Sequence, residues 1–142
     1  MEKVLIIIPT YNEIENIKSI IEAVFETKLA LNILIVDDQS PDGTAAQVME
    51  MMSQFPEQLF IESRADKKGL GTAYVHGFLW ALRRNYDYIF EMDADFSHDP
   101  NELRSMLTIL KNRSDLVVGS RYVKGVNVVN WPLSRILLSY FA

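Results

Sequence analysis

Short unbroken apolar runs alternate along this chain with longer segments in which apolar residues recur every three or four positions. Residues 4–8 are all branched and apolar, closed by Pro9, which predicts a strand buried on both faces. Asn12, with Glu15 three residues on, is a helix-start signal, and Ile14, Ile17, Ile21, Val24 and Phe25 follow at helical spacing. The same alternation repeats. Residues 33–36 predict a strand, Ser40-Pro-Asp-Gly43 a turn with Ser40 or Asp42 as cap, and residues 45–52 a helix. Residues 59–62 predict a third strand, 72–84 a third helix and 88–92 a fourth strand. Asp99 then caps a fourth helix, with Pro100 at its first position, Glu102 completing a capping box, and Leu103, Met106, Leu107 and Leu110 as the buried stripe. Residues 116–118 predict a fifth strand.

Strands that alternate with helices imply right-handed crossovers and a mainly parallel sheet covered on both faces, an α/β domain. After Gly119 the alternation stops. Residues 120–130 predict a loop, and Leu133, Ile136, Leu137, Tyr140 and Phe141 form one apolar stripe with nothing after it to cover it. The expectation is therefore a domain truncated at its C-terminus, or a last helix that docks elsewhere. Residues 1–121 form the ligand-binding α/β region, and 122–142 a loop and the start of an amphipathic helix in the same domain.

The composition, 49% hydrophobic and 23% charged over 142 residues, fits one folded domain. A formal charge of -5 argues against nucleic acid, whose phosphates call for clustered Lys and Arg. The absence of cysteine excludes disulfides and thiolate zinc sites. No window approaches the roughly 18 apolar residues that a bilayer span needs, and no signal region opens the chain, so cytoplasmic placement is the default. No motif speaks to oligomeric state.

In open α/β sheets ligands bind beyond the carboxyl ends of the strands, where loops converge and helix N-termini point inward. Every predicted strand here ends in polar residues: Thr10 to Glu13, Asp37-Asp38, Arg64 with Lys67-Lys68-Gly69, Asp93-Ala-Asp95, and Ser120-Arg121. If the fourth strand extends that far, its period of two puts Asp93 and Asp95 on one face. Two adjacent carboxylates repel unless a cation or donors stabilise them, and oxygen ligands without Cys or clustered His suit Mg²⁺ or Mn²⁺. A lone Asp-x-Asp more often only solvates a turn; its place after a buried strand favours a site. Asp37-Asp38 reads equally as turn chemistry or as an acceptor for nucleobase N–H groups. Gly69-Leu-Gly71 lacks the full dinucleotide-binding spacing, His98 belongs to the start of the following helix rather than to a metal shell, and Met49, Met51 and Met52 read as helix packing.

Ile8-Pro-Thr-Tyr-Asn-Glu13, Val36-Asp-Asp-Gln-Ser-Pro-Asp-Gly43, Gly69-Leu-Gly-Thr-Ala-Tyr74, Met92-Asp-Ala-Asp-Phe-Ser-His98 and Gly119-Ser-Arg-Tyr122, taken together and in this order, resemble the family 2 glycosyltransferases. Within that family the chain is most similar to the branch that mannosylates dolichol and polyprenol phosphates. The resemblance runs from residue 4 to the end. It implies a GT-A (Rossmann-like) three-layer fold, a nucleotide-diphosphate sugar donor and inverting transfer.

Position by position, it implies that Pro9, Tyr11, Glu13, Val36 and Asp38 form the nucleoside pocket, with Asp38 reading a guanine or a uracil. Asp93 and Ala94 match donor contacts, Asp95 the metal-coordinating carboxylate, and Arg121 a basic residue that meets phosphate or acceptor. Asp95 and Arg121 are thus the expected catalytic pair. Some relatives place a glutamine, as a further metal ligand, where this chain has Ser97; water can take that position. Lys124 and Arg135 lie in a segment resembling the family's acceptor loop and are available to a lipid phosphate. The implied reaction moves a hexose, mannose first among them, from GDP-mannose to a polyprenyl phosphate. That acceptor, with a second phosphate pKa of about 6, needs no protein base. The apolar stripe that follows would give peripheral contact with the cytoplasmic membrane face, although such stripes more often pack against protein. The alternatives are transfer to a saccharide acceptor, which would need a base, and a truncated module that binds nucleotide without turnover.

Overall fold

The computed structural model describes residues 2–65 and 69–119. Four strands, β1 (Val4–Thr10), β2 (Asn32–Asp37), β3 (Leu59–Ser63) and β4 (Tyr88–Glu91), alternate with helices α1 (Ile17–Glu26), α2 (Thr44–Met52) and α3 (Leu70–Leu82). A 3-10 turn at Pro100–Glu102 then leads into α4 (Leu103–Arg113). The strands form one sheet in the order β3-β2-β1-β4, and every pairing is parallel.

The two faces of the sheet carry separate cores, which follows from the period of two along each strand. Val4, Ile6, Ile8, Ile33 and Ile35 face one way and pack with the buried stripes of α1 and α2 and with Leu103 of α4. Leu5, Ile7, Leu34 and Val36 face the other way and pack under Ala73, Tyr74, Trp80 and Ala81 of α3. Because both faces are covered, β1 shows no alternation in its sequence. At Gly77, α3 comes so close to the sheet that an added Cβ would lie 2.7 Å from Ile7 Cγ2 and 2.9 Å from its Cδ1. Ile7 is fully buried and branched at Cβ, so it has no room to yield. Gly77→Ala is therefore expected to destabilise the protein by about 1–3 kcal/mol in spite of alanine's better helix propensity. Urea midpoints measure this, and an unchanged or higher midpoint would contradict the close approach.

Each predicted strand and helix through α4 is present, with ends shifted by a few residues. Four details differ. The N-cap of α2 is Gly43 in a left-handed conformation (φ 94), not Ser40 or Asp42. Asn12 does not cap α1: it takes a left-handed conformation (φ 60), and the helix begins at Ile17. The reason lies in the β2–α2 loop, whose side chains take the amides that a cap would have served. Asn12 N–H donates to Ser40 Oγ (3.0 Å), Glu13 N–H to Thr44 Oγ1 (3.0 Å) and Ile14 N–H to Asp42 Oδ2 (3.0 Å). The capping box at Asp99 is only half made, since Asp99 accepts from Asn101 N–H while Glu102 accepts from Ser105 instead of reaching back. Residues 116–118 are not a strand: Leu116 is 78% exposed and Val118 77%, and no described strand pairs with them. An apolar run becomes a strand only where a sheet edge accepts it.

Among the described residues no helix is long and apolar enough to cross a membrane.

Candidate nucleotide-sugar and metal site

The strand order places the topological switch between β1 and β4, because the chain builds outward from β1 through β2 to β3 and then returns to the other side for β4. In such sheets the crevice above the switch is where ligands bind. A cavity of about 240 Å³ opens there. The β1 loop contributes Pro9, Thr10, Tyr11 and Glu13; the end of β2 contributes Asp38. The start of α3 adds Gly69, Leu70 and Ala73, and the β4 loop adds Asp93, Ala94 and Asp95. Local sequence explains how each arrives. β1 continues past the end of β4, since Ile7 pairs with Glu91 while Pro9 pairs only with Val36. A proline without an amide is tolerated on this one-sided stretch. Gly69 supplies the positive φ (91°) from which α3 starts.

The adjacent carboxylates after β2 have different tasks. Asp37 is 1% exposed and accepts from Thr10 Oγ1 (2.8 Å), Ser40 Oγ (2.6 Å) and Ser40 N–H (2.9 Å). It ties the β1 and β2 loops together and is not part of the cavity lining. Asp38, 7% exposed, lines the cavity and is held by Arg64 in a two-pronged pair, Nε to Oδ1 at 2.6 Å and Nη2 to Oδ2 at 2.7 Å. The same guanidinium donates to Thr72 Oγ1 (2.9 Å) and so links the ends of β2 and β3 to the first turn of α3. A carboxylate has about four lone-pair positions, of which Arg64 uses two, so Asp38 still has acceptor capacity toward the cavity.

The β4 loop leaves the sheet after Glu91, so Asp93 and Asp95 are placed by turn geometry and not by strand alternation. Asp93 Oδ1 accepts from the Tyr74 hydroxyl at 3.0 Å, and Asp93 N–H donates to His98 Nδ1 at 3.1 Å. Phe96 takes φ 60, which curls the loop so that Ser97 N–H reaches Asp95 Oδ1 at 2.9 Å. A left-handed conformation is strained for an aromatic residue, and such strain is typical of functional loops. The Ser97 hydroxyl, then its main-chain N–H, hold the Asp95 carboxyl below the usual carboxylate range. Burial first, and the Asp93 charge second, push the Tyr74 phenol far above its ordinary value, so it stays a donor at working pH.

The lining holds the carboxylates of Glu13, Asp38, Asp93 and Asp95 and no cationic side chain among the described residues. A diphosphate placed here would meet net repulsion unless a cation came with it. Asp95, exposed and ionised, is the group best suited to hold a hard divalent ion through oxygen. Among the described residues no cluster of three or more His, Asp or Glu side chains could hold a metal by protein ligands alone. Mg²⁺ and Mn²⁺ commonly keep several ligands from water and substrate phosphate, and the donor set fits that mode.

The structure thus gathers Pro9, Tyr11, Glu13, Asp38, Asp93, Ala94 and Asp95 around one cavity. Val36 is different: its side chain is fully buried under α3 and is not in the lining. Arg121, Lys124 and Arg135 lie outside the described residues, as do Lys67 and Lys68. Sequence reading did not anticipate the roles of Arg64 and Tyr74. Arg64's position after β3 signalled a site, but its partner did not follow from it. His98 Nδ1 accepts from Asp93 N–H within the loop, and Met51 and Met52 pack in the core whereas Met49 is exposed.

The arrangement is an α/β domain with an acidic cleft at the topological switch of its sheet, and comparison with known proteins gives its family. The family model described as glycosyl transferase family 2 matches residues 5–141, and the chain belongs to that family. It is 47% identical over 97% of its length to the polyprenol monophosphomannose synthase of Mycolicibacterium smegmatis, covering 52% of that protein. It is 44% identical over 97% of its length to the undecaprenyl-phosphate mannosyltransferase of Micrococcus luteus, covering 56% of it. The dolichol-phosphate mannosyltransferase of Pyrococcus furiosus is 41% identical over 96% of the chain, which covers 38% of that protein. The chain therefore spans about half or less of the length of these relatives. Among solved structures, the mannosyltransferase PcManGT from Pyrobaculum calidifontis, in complex with GDP-Man and Mn²⁺, superposes with a TM-score of 0.63 at 24% identity over 78% of this chain and 32% of that one. S. aureus TarS 1-349 superposes at 0.69 with 22% identity over 93% of this chain and 39% of that one. At these identities the likeness shows the fold, which is that of the GT-A glycosyltransferases.

Proposed function

We propose that the chain carries the donor half of an inverting mannosyltransferase that moves mannose from GDP-mannose to a polyprenyl phosphate. The observation that carries this reading is the cavity at the β1/β4 switch, where Asp38 stands on one side and Asp93-Ala94-Asp95 on the other. The relatives' names favour this donor sugar and this acceptor. Pro9, Tyr11 and Glu13 form the wall against which the nucleoside rests, and Asp38, oriented by Arg64, accepts from the base. Val36 contributes to the pocket through the backbone position it gives Asp38. Asp93 and Ala94 meet the sugar-bearing part of the donor. Asp95 would hold the divalent ion, Mg²⁺ or Mn²⁺, which when bound supplies positive charge to the departing diphosphate.

In the reaction a phosphate oxygen of the acceptor attacks the anomeric carbon from the face opposite the leaving group. The bond from that carbon to the donor's diphosphate breaks, and GDP departs with its electron pair. Arg121 belongs with the phosphates, and Lys124 and Arg135 with the acceptor phosphate, at a peripheral membrane surface. Because a phosphate monoester is already largely dianionic near neutral pH, no side chain has to remove a proton. Incubating the full-length protein with labelled GDP-mannose and Mn²⁺, in parallel with polyprenyl phosphate and with a saccharide acceptor, tests this. Labelled lipid is the expected product, and label on the saccharide alone would overturn the choice of acceptor.

A further inference from the structure

Tyr74 is a buried phenol on α3, outside every role given above, and its ring belongs to the core under that helix. Its hydroxyl reaches out of that core to Asp93 Oδ1 at 3.0 Å. The loop's other holds on Asp93 are weaker or act elsewhere: Ser97 Oγ is 3.5 Å from Oδ2, and His98 takes only the main-chain N–H. Asp93 also shares the cavity with the carboxylates of Asp95 and Glu13, whose repulsion favours rotamers that turn it away. A fixed donor in the core therefore decides where this carboxylate points.

We propose that Tyr74 is a positioning residue for the nucleotide sugar: its hydroxyl holds Asp93 by Oδ1 so that Oδ2 is presented to a hydroxyl of the donor's ribose or hexose. The inference rests on the donor-binding reading above. It separates the two acidic residues of the loop, since Tyr74 supports the Asp93 contact and leaves Asp95 and its metal untouched. The motif Gly69-Leu-Gly-Thr-Ala-Tyr74 then has a physical logic. Gly69 starts α3 at the cavity, Ala73 leaves room beside it, and Tyr74 lies one position further round, where it reaches the β4 loop.

The test is calorimetric titration of the full-length protein with GDP-mannose, with and without Mn²⁺, in five forms: parent, Tyr74→Phe, Tyr74→Met, Asp93→Ala and the double variant of Tyr74→Phe with Asp93→Ala. Tyr74→Phe keeps the buried ring, and Tyr74→Met, which fills similar volume without a donor, guards against a packing effect of the phenylalanine form. Both are expected to weaken GDP-mannose binding by about tenfold, the scale of one hydrogen bond to a charged group. The ratio of affinities with and without Mn²⁺ should match the parent's. The double variant should bind no more weakly than Asp93→Ala alone, because Tyr74 acts only through Asp93. Parent-like binding by Tyr74→Phe, additive losses in the double variant, or a changed metal ratio would overturn the proposal. If the parent fails to bind GDP-mannose, the donor reading falls and this inference with it; if the parent binds and Tyr74→Phe binds equally, only the inference falls.

Discussion

Arg64→Ala is expected to lower the stability of the protein by about 3–5 kcal/mol, the usual cost of stranding one member of a buried ion pair. The Asp38 and Arg64 side chains are only 8% and 10% exposed, and the pair is two-pronged. Removing the guanidinium leaves a largely buried carboxylate that water reaches only from the cavity side and that no other described side chain neutralises. It also cuts the link to Thr72 and thus to the start of α3. Denaturant unfolding of Arg64→Ala against the parent measures the loss. The paired change Asp38→Asn with Arg64→Met, which removes both charges, should recover a large part of it, since well-packed uncharged replacements of buried pairs are often close to neutral. A single variant as stable as the parent would show that Asp38 is solvated and that the pair is incidental.

Asp95→Asn is expected to reduce Mn²⁺-supported GDP-mannose binding roughly a hundredfold while leaving the melting temperature nearly unchanged. Charge neutralisation of a diphosphate by a bound ion contributes on the order of several kcal/mol, and the amide removes the charge that holds the ion. Asp95 is exposed and its contacts are with the Ser97 N–H and hydroxyl, for which an amide oxygen can also act as acceptor, so the loop should keep its shape. Titration of the full-length variant with donor at a series of Mn²⁺ concentrations gives the result. Undiminished, metal-dependent binding would move the metal to other residues.

Much of this was legible in the sequence because it depends on local pattern. Residues 4–8 could only be a strand covered on both sides, and the helical stripes of α1 and α4 were explicit. Polar residues closing every strand pointed to one edge of the sheet. What was not legible depends on which loops meet. Asp37 and Asp38 are adjacent in sequence and look equivalent. The pairing of Asp37 with Ser63 brings Arg64 beside Asp38, and the β1 loop brings Thr10 onto Asp37. Tyr74 was visible only as part of a motif, because its reach to Asp93 requires the crossing of α3 over the sheet. The start of α1 was misplaced for a related reason: the amides of residues 12–14 are served by side chains some thirty positions away. Residues 116–118 have strand composition but pair with no described strand.

Calorimetric titration of the full-length parent protein with GDP-mannose and with UDP-glucose, each with Mn²⁺ and with the metal chelated, tests most directly whether the β1/β4 cleft is a metal-dependent nucleotide-sugar site. GDP-mannose is expected to bind in the presence of Mn²⁺, more tightly than UDP-glucose, and to lose most of its affinity on chelation. Binding of either donor with equal strength with and without metal, or no binding of either, would contradict it.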